Sequence, residues 1–342
     1  MDRKSRINER QRKVLYCAVR EYIISKKPVS SGRILSASNV RCSGATIRND
    51  MRKLEYLGYM FQPHTSAGRI PTDKGFRFYV EETLKIMSEC QGRSSGIYSR
   101  YPMAHGDMER IFEGAVRALT RMVKGAVVLE KPSIEKLRIV RIVVTPITKN
   151  YYVFSVITEL GLAKFIPFKT FSRIDHQKLE NAMNELLSGF DLASVENRTL
   201  SDNWEQELLE MSEMLVESLR DDYRNNLLKS GIDVLMNEAD DHQIKELRRV
   251  SQLISDDAGL FDFMEKIETT PAIFIGSEHE IDGLENFSIF VDSYCKQGAV
   301  MGRILIVTPK VVRYEEVFNA LRYMTSRLTE YFTIATREEV RQ

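Results

Sequence analysis

The residues best suited to chemistry are the polar side chains of residues 43–56, which alternate with apolar ones at helical spacing. If Ile47 and Leu54 face a core, Asn49 and Arg52 lie on the opposite side of the same helix. Arginine can form two hydrogen bonds with guanine, and asparagine can form two with adenine. The pattern therefore predicts a helix whose outward face reads base edges in the major groove of DNA.

The candidate DNA-binding residues form two groups, one on this helix and one on the turn that follows it. The helix group combines the outward face with a first turn of small residues, where backbone amides can approach phosphates; it consists of Ser43, Thr46, Arg48, Asn49, Arg52 and Lys53. The turn group consists of His64, Thr65, Ser66 and Arg69. We expect Arg69 to enter a minor groove or to hold a phosphate. His64 either donates to a phosphate or bonds to the backbone of its own turn.

Charge is unevenly distributed along the chain. The first 80 residues contain 17 Lys and Arg against 6 Asp and Glu, a net charge of +11, whereas the rest of the chain has a net charge of −10. This asymmetry predicts a polyanion-binding N-terminal part on an acidic body. The cations that could hold phosphates without reading sequence are Lys26, Lys27, Arg33, Lys53, Arg69, Lys74 and Arg77. The alternative is a three-helix domain with a solvated basic face.

The elements around these residues predict a winged helix-turn-helix domain over residues 1–87, which we call the head. Apolar residues at helical spacing, together with capping residues, mark its helices. The predicted elements are a helix over 8–25 capped by Asn8, a short helix capped by Ser30 or Ser31 with Ile34 and Leu35 inward, a helix from Ser43 to Gly58, two strands within 59–71 and a helix over 72–87.

The whole chain is predicted to have an α+β fold in three parts. Residues 88–107 are rich in Ser, Gly and Tyr and lack periodicity, which indicates a linker. Beyond it, β-branched runs lie on either side of a long helical pattern. This order predicts an α/β sheet domain over 108–171 and 269–342 that carries a mostly helical insertion at 172–268; two unrelated domains in series are the alternative.

Composition and missing motifs disfavour several classes of protein. The four cysteines form no Cys-x-x-Cys pair, so neither a disulfide framework nor a zinc site is expected. The histidines are scattered, and Glu278-His279-Glu280 is interpreted as a solvated turn. Without nucleotide-binding glycine motifs or a nucleophile elbow, we expect no enzyme and no cofactor. No apolar run long enough to span a membrane and no secretory signal is visible, so a cytoplasmic protein without membrane contact is expected.

Four segments carry a resemblance to a known family. They are INERQRKVLYCAVREYI at 7–23, SGATIRNDMRKLEYLGY at 43–59, FQPHTSAGRIPTDKGFRFYVE at 61–81 and GLENFSIFVDSYCKQGAVMGRILIVTP at 283–309. Together they resemble HrcA, the heat-inducible transcription repressors of bacteria, and the third segment is the most specific. Residues 302–314 depart from the pattern, because Val-Thr-Pro-Lys-Val at 307–311 stands where the family commonly has a Gly-Pro-Thr-Arg-Met-like turn.

The resemblance implies a repressor that binds double-stranded DNA as a homodimer, at the inverted-repeat operator called CIRCE upstream of chaperone operons. It implies a GAF-like fold for the sheet domain and a dimerising role for the insertion. It further implies that a groEL-type chaperonin keeps the repressor active until heat diverts the chaperonin to unfolded proteins. The main alternative is a metabolite-sensing winged-helix repressor whose GAF-like domain holds the ligand. A catalytic body is a third hypothesis, against which the missing motifs weigh.

Overall fold

The computed structural model describes residues 7–38, 42–65, 67–89, 108–133, 136–170, 175–191, 206–220, 226–237 and 244–339. The predicted linker lies almost entirely outside these described residues, as does Ser66. Helices and sheets are mixed along the chain, which confirms the α+β class.

The head has the element order of a winged helix-turn-helix. Its elements are α1 (Glu9–Ser25), α2 (Ser31–Ala37), α3 (Gly44–Tyr56), β1 (Met60–Phe61), β2 (Ile70–Pro71) and α4 (Asp73–Glu89). The first three helices begin at Asn8, Ser30 and Ser43, whose side chains each accept a hydrogen bond from a backbone amide in the first turn. These starts confirm the predicted caps. Leu35, predicted to point inward, is instead 40% exposed.

The elements after the head alternate between two separate sheets. In chain order they are α5 (Met108–Val123), β3 (Ala126–Glu130), β4 (Ile139–Thr148), β5 (Tyr151–Thr158), β6 (Ala163–Lys169), α6 (His176–Leu187), α7 (Gln206–Arg220), β7 (Leu227–Ser230), α8 (Ile232–Asn237), α9 (Ile244–Ser255), α10 (Asp257–Glu265), β8 (Ala272–Ile275), a 3₁₀ turn (Gly276–His279), β9 (Phe287–Lys296), β10 (Ala299–Pro309) and α11 (Tyr314–Glu339).

The larger sheet forms the body of the molecule. It has five antiparallel strands in the order β7-β3-β10-β9-β8. Side chains alternate across it: Ile304 and Ile306 belong to the core cluster with α5 and α11, whereas Leu305 and Val307 belong to the cluster with α8, α9 and α10. Because helices cover both faces, the central strands are apolar along their length.

The smaller sheet is the inserted part. Strands β4, β5 and β6 form a three-stranded antiparallel sheet, and one face of it packs on α6 and α7 in a core of its own. This sheet lies in the chain between β3 and β7, which are neighbours in the larger sheet. The topology therefore differs from the predicted insertion at 172–268, and we propose boundaries of 139–220 instead. The pattern placed β7 within a helical block because four residues of strand carry little periodicity of their own.

The core of the head continues into the body. One cluster of buried residues runs from α1, α3 and α4 through α5 to the larger sheet and α11. At the crossing point, the ring of Phe76 on α4 lies 6.1 Å from the ring of Tyr314 on α11, centroid to centroid. The head is thus packed against the body.

Candidate nucleic-acid interface

Helix α3 is held in place by a buried stripe on its inner side. Ile47 and Leu54 are fully buried and Met51 is 1% exposed, at the spacing expected for one helical face. Burying three large apolar side chains of this kind contributes roughly 1.5–3 kcal/mol each. The stripe fixes which side of the helix remains outside.

Asp50 is an additional inward residue that sequence reasoning missed. Its carboxylate accepts hydrogen bonds from Arg10 Nε at 2.7 Å and from Gln11 Nε2 at 3.2 Å, both on α1. The hydrogen bond with Asp50 raises the pKa of the Arg10 guanidinium. Asp50 is only 4% exposed, and a buried charge is costly unless it is paired. The two donors on α1 compensate the charge of this carboxylate. The available signal was its position three residues after Ile47, on the apolar stripe of an otherwise basic helix.

The outer side of α3 presents the polar residues that the pattern predicts there. Arg48, Asn49, Arg52 and Lys53 are all exposed, and Tyr56 at the end of the helix is 90% exposed. At the start of the helix, Ser43 and Thr46 are joined by a 2.9 Å hydrogen bond between their hydroxyls, and the hydroxyl of Ser43 also accepts from the Thr46 amide. Both hydroxyls are therefore engaged in the cap and can reach a phosphate only with their remaining lone pairs or protons.

The turn between β1 and β2 forms the wing. Gln62 Nε2 donates to the carbonyls of Thr65 and Ala67, at 3.0 and 2.8 Å. The side chains of His64 and Thr65 are exposed. The turn is therefore shaped from within by Gln62, and this leaves His64 and Thr65 facing solvent, where a nucleic acid could meet them.

Arg69 does not point to solvent, contrary to the predicted contact with a minor groove or phosphate. Its Nε and Nη2 both lie 2.8 Å from Glu55 Oε2 on α3, and its side chain is only 11% exposed. Its backbone pairs with Val29 through two 2.9 Å hydrogen bonds. Arg69 thus joins the wing to α3 and to the turn before α2. We now assign it a positioning role for the wing.

Two other predicted phosphate contacts also have partners within the protein. Arg77 pairs with Glu278 on the body and is 30% exposed at its side chain. Lys74 Nζ donates to the carbonyl of Leu57 at 2.8 Å and lies 4.3 Å from the ring centroid of Tyr59. Because Glu278 of the body holds its guanidinium, we assign Arg77 to the contact between head and body in place of a phosphate contact. Glu278 is half-buried in this pair, so the turn it belongs to is not simply solvated.

The backbone that leads into β1 packs closely on a glycine of α4. A Cβ at Gly75 would stand 2.3 Å from the carbonyl oxygen of Tyr59, which immediately precedes β1. We expect Gly75→Ala to push this backbone outward and destabilise the head by about 1–3 kcal/mol, as overpacking commonly does. Thermal unfolding followed by circular dichroism measures the change.

Gly32→Ala is the matched control, because Gly32 is also helical but its nearest atom to a new Cβ is 3.9 Å away. The control should melt at or slightly above the wild-type temperature, since alanine favours helix more than glycine does. Equal melting temperatures for Gly75→Ala and the wild type would contradict the close packing of the Tyr59 backbone on α4.

A groove of about 1010 Å³ lies between α4, α10 and β8. Apolar residues such as Leu84 and Phe263 line it, together with charged ones such as Lys266 and Asp262. Its half-buried cation, Arg77, already pairs with Glu278. Polar groups that converge on an empty centre are the usual mark of a specific ligand site, and this pair gives no such indication.

Among the described residues, no group of three or more His, Cys, Asp or Glu side chains could hold a metal ion. No described helix has the length and apolar character needed to cross a membrane.

The fold and the exposed face of α3 together define a class: a transcription regulator with an N-terminal helix-turn-helix head on a larger α+β body. Comparison with known sequences identifies a family within this class. The profile described as "HrcA protein C terminal domain" matches residues 109–318. Relatives called "Heat-inducible transcription repressor HrcA" are 38% identical in Thermotoga petrophila, over 98% of this chain and 97% of theirs, and 29% identical in Moorella thermoacetica, over 95% and 98%.

The chain belongs to the HrcA family of heat-inducible transcription repressors. A crystal structure described only as a hypothetical protein is 38% identical, with a TM-score of 0.70 over 96% of this chain and 100% of that one. Membership confirms the resemblance seen in the sequence, including its implication of transcription regulation, repression and the heat-shock response. It also implies a protein that is not an enzyme.

Proposed function

We propose that this protein represses chaperone operons by binding a CIRCE-type inverted repeat as a homodimer, and that a groEL-type chaperonin keeps it active. The observation that carries the proposal is the exposure of Arg48, Asn49 and Arg52 on α3 while the opposite stripe of the helix is buried. These side chains are free to approach base edges without any rearrangement of the head.

The contacts to DNA are divided by chemistry. Asn49 and Arg52 read bases, and Arg48 and Lys53 flank them. Ser43 and Thr46 position the start of α3 against the backbone, where the helix N-terminus favours a phosphate. His64, Thr65 and Ser66 are the wing residues proposed to approach the adjacent groove, with Arg69 holding the wing in place through Glu55.

The dimer is proposed to form through the insertion, with the five-stranded body as its GAF-like partner domain. The face of the smaller sheet that α6 and α7 do not cover carries several apolar side chains. Phe165 on β6 is 67% exposed, and the half-buried Val153 and Ile157 of β5 lie diagonal to it on the same face, on either side of its direct partner Ser155. Exposed apolar surfaces of this kind mark association sites. A two-fold dimer matches the symmetry of an inverted repeat.

Support for chaperonin dependence comes from the family and from exposed apolar side chains. Besides Phe165, Ile147 and Met236 are more than half exposed, at 55% and 56%. A chaperonin holds apolar surface, and a protein that depends on one is expected to offer it. We propose that the chaperonin raises the amount of protein in the DNA-binding form.

The direct test is a footprint of the purified protein on the DNA upstream of a chaperone operon, at one fixed salt concentration, with and without chaperonin. We expect two protected half-sites related by two-fold symmetry, and protection at lower protein concentration when chaperonin is present. A scrambled DNA of equal length is the control, because phosphate contacts alone bind any sequence. Equal protection of both DNAs would contradict the proposal. Protection that responds to a small metabolite and not to chaperonin would favour the ligand-sensing alternative.

A further inference from the structure

Helix α4 meets the body through two charged residues one turn apart. Asp73 and Arg77 are separated by four positions, so both lie on the same side of the helix. They contact the 3₁₀ turn that follows β8 and the residue just after β10. We call the four residues that receive them, Gly276, Ser277, Glu278 and Lys310, the head socket.

Asp73 is held by three donors of the body. Its carboxylate accepts from the Ser277 amide at 3.0 Å, from the Ser277 hydroxyl at 2.9 Å and from Lys310 Nζ at 2.8 Å. Burial acts to raise the pKa of Asp73, but the hydrogen bonds from Lys310 and Ser277 outweigh it and hold the pKa below its ordinary value. Asp73 therefore stays ionised in the contact.

Gly276 makes room for this carboxylate. Its φ is +56°, and a Cβ there would stand 2.4 Å from Asp73 Oδ2. A side chain at this position would both strain the backbone and collide with the head. The glycine thus fits the docked position of α4 specifically.

Arg77 completes the contact by covering the edge of the larger sheet. It pairs with Glu278 and also donates to the carbonyl of Ile273 on β8. Glu278 Oε2 in turn accepts from the amide of Ile275, at 2.8 Å. Strand β8 is an edge strand of the described part of the sheet, and these two charged side chains satisfy backbone groups that no described strand pairs with.

Helix α4 is packed into the core of the head. The ring of Tyr79 on α4 lies 4.8 Å from that of Tyr16 on α1, and the ring of Phe76 lies 6.1 Å from that of Tyr22, also on α1. Helix α1 in turn holds α3 through Asp50. Whatever fixes α4 on the body therefore also fixes the direction of α3.

We infer that the head socket sets the separation of the two DNA-reading helices in the dimer, so that Asp73 and Arg77 are positioning residues for half-site spacing. The inference rests on the proposed function, a dimer on an inverted repeat. A rigid connection holds the second head at its own half-site once the first is bound. A loose connection spreads the second head over several positions and tolerates other spacings.

The test measures binding of the full-length protein to the inverted repeat, to repeats whose spacer is one or two base pairs longer or shorter, and to an isolated half-site. The variants are Arg77→Ala and, as an independent way to open the socket, Gly276→Ala. We expect the wild type to prefer one spacing. We expect both variants to retain half-site affinity. The ratio of their affinity for the preferred spacing to their affinity for the other spacings should fall about tenfold or more.

Two controls are matched to these variants. Arg12→Gln breaks an ion pair with Glu82 inside the head, whose side-chain exposures of 39% and 28% resemble the 30% and 29% of Arg77 and Glu278. Gly298→Ala replaces a glycine at φ +87° that has no atom within 4 Å of a new Cβ. Both controls should keep the wild-type spacing preference.

The outcomes separate this inference from the function on which it rests. A wild type that prefers one spacing, with socket variants that prefer it equally, overturns the socket and leaves the function standing. Socket variants that bind the cognate repeat more tightly than the wild type also overturn it, because the docked head would then oppose DNA binding. A wild type that binds no inverted repeat better than scrambled DNA overturns both proposals.

Discussion

Replacing Asn49 or Arg52 with alanine is expected to lower the affinity for the cognate operator by about ten- to a hundredfold, because a bidentate contact with a base is worth roughly 1–3 kcal/mol. Both side chains are exposed on the outer face of α3, and the stripe beneath them keeps its packing when they are shortened. The loss should be specific to particular base pairs. At those positions, the protein variant should bind the operator and an operator with that one base pair changed with equal affinity.

The measurement is binding to a panel of operator variants at one salt concentration. Arg69→Ala is the comparison, since Arg69 pairs with Glu55 and we propose that it positions the wing without reading a base. It should weaken binding to every member of the panel by a similar factor. Uniform losses for all three variants would show that Asn49 and Arg52 do not read bases.

The second large effect is expected at the proposed dimer surface. A carboxylate at position 165, in Phe165→Asp, would have to be buried unpaired when two copies meet, which is costly. The variant should be monomeric, and its affinity for the full inverted repeat should fall about 10²- to 10⁴-fold as the second head is lost, while half-site affinity is retained. Sedimentation equilibrium and operator binding measure the two effects.

Met236→Asp is the control for this prediction. Met236 lies on α8 of the body and is 56% exposed, close to the 67% of Phe165. Measured without chaperonin, it should leave both the dimer and operator binding intact. A dimeric Phe165→Asp protein with wild-type affinity would place the interface elsewhere.

Helical periodicity was enough to predict the face of α3 that carries the candidate site. The inward stripe at Ile47, Met51 and Leu54 recurs at regular spacing, so the exposed side follows by geometry. The partners of the charged residues could not be predicted in the same way. Arg69 meets a residue 14 positions away and Arg77 one 201 positions away. Such pairs depend on how distant elements pack, and no local pattern carries that information.

The limits of the insertion show the same division between local and non-local information. Strands β4, β5 and β6 follow one another and were recognised from their β-branched runs. These three strands are separate from the larger sheet because β7, which follows the whole insertion in the chain, is the strand that pairs with β3. The register Val127 to Ser230 joins residues about a hundred positions apart. Pairing across that distance is set by the completed core and not by the sequence of either strand.

The ion pairs formed by arginines of the head also govern how its binding should respond to ionic strength. Arg10, Arg12, Arg33, Arg69 and Arg77 each already face a carboxylate of the protein. A cation that keeps its internal partner releases no counterion from DNA. The head therefore neutralises fewer phosphates than its number of Lys and Arg residues suggests, and its complex with DNA loses less affinity as salt rises than that number predicts. A larger share of its binding free energy then comes from base contacts, which salt screens little.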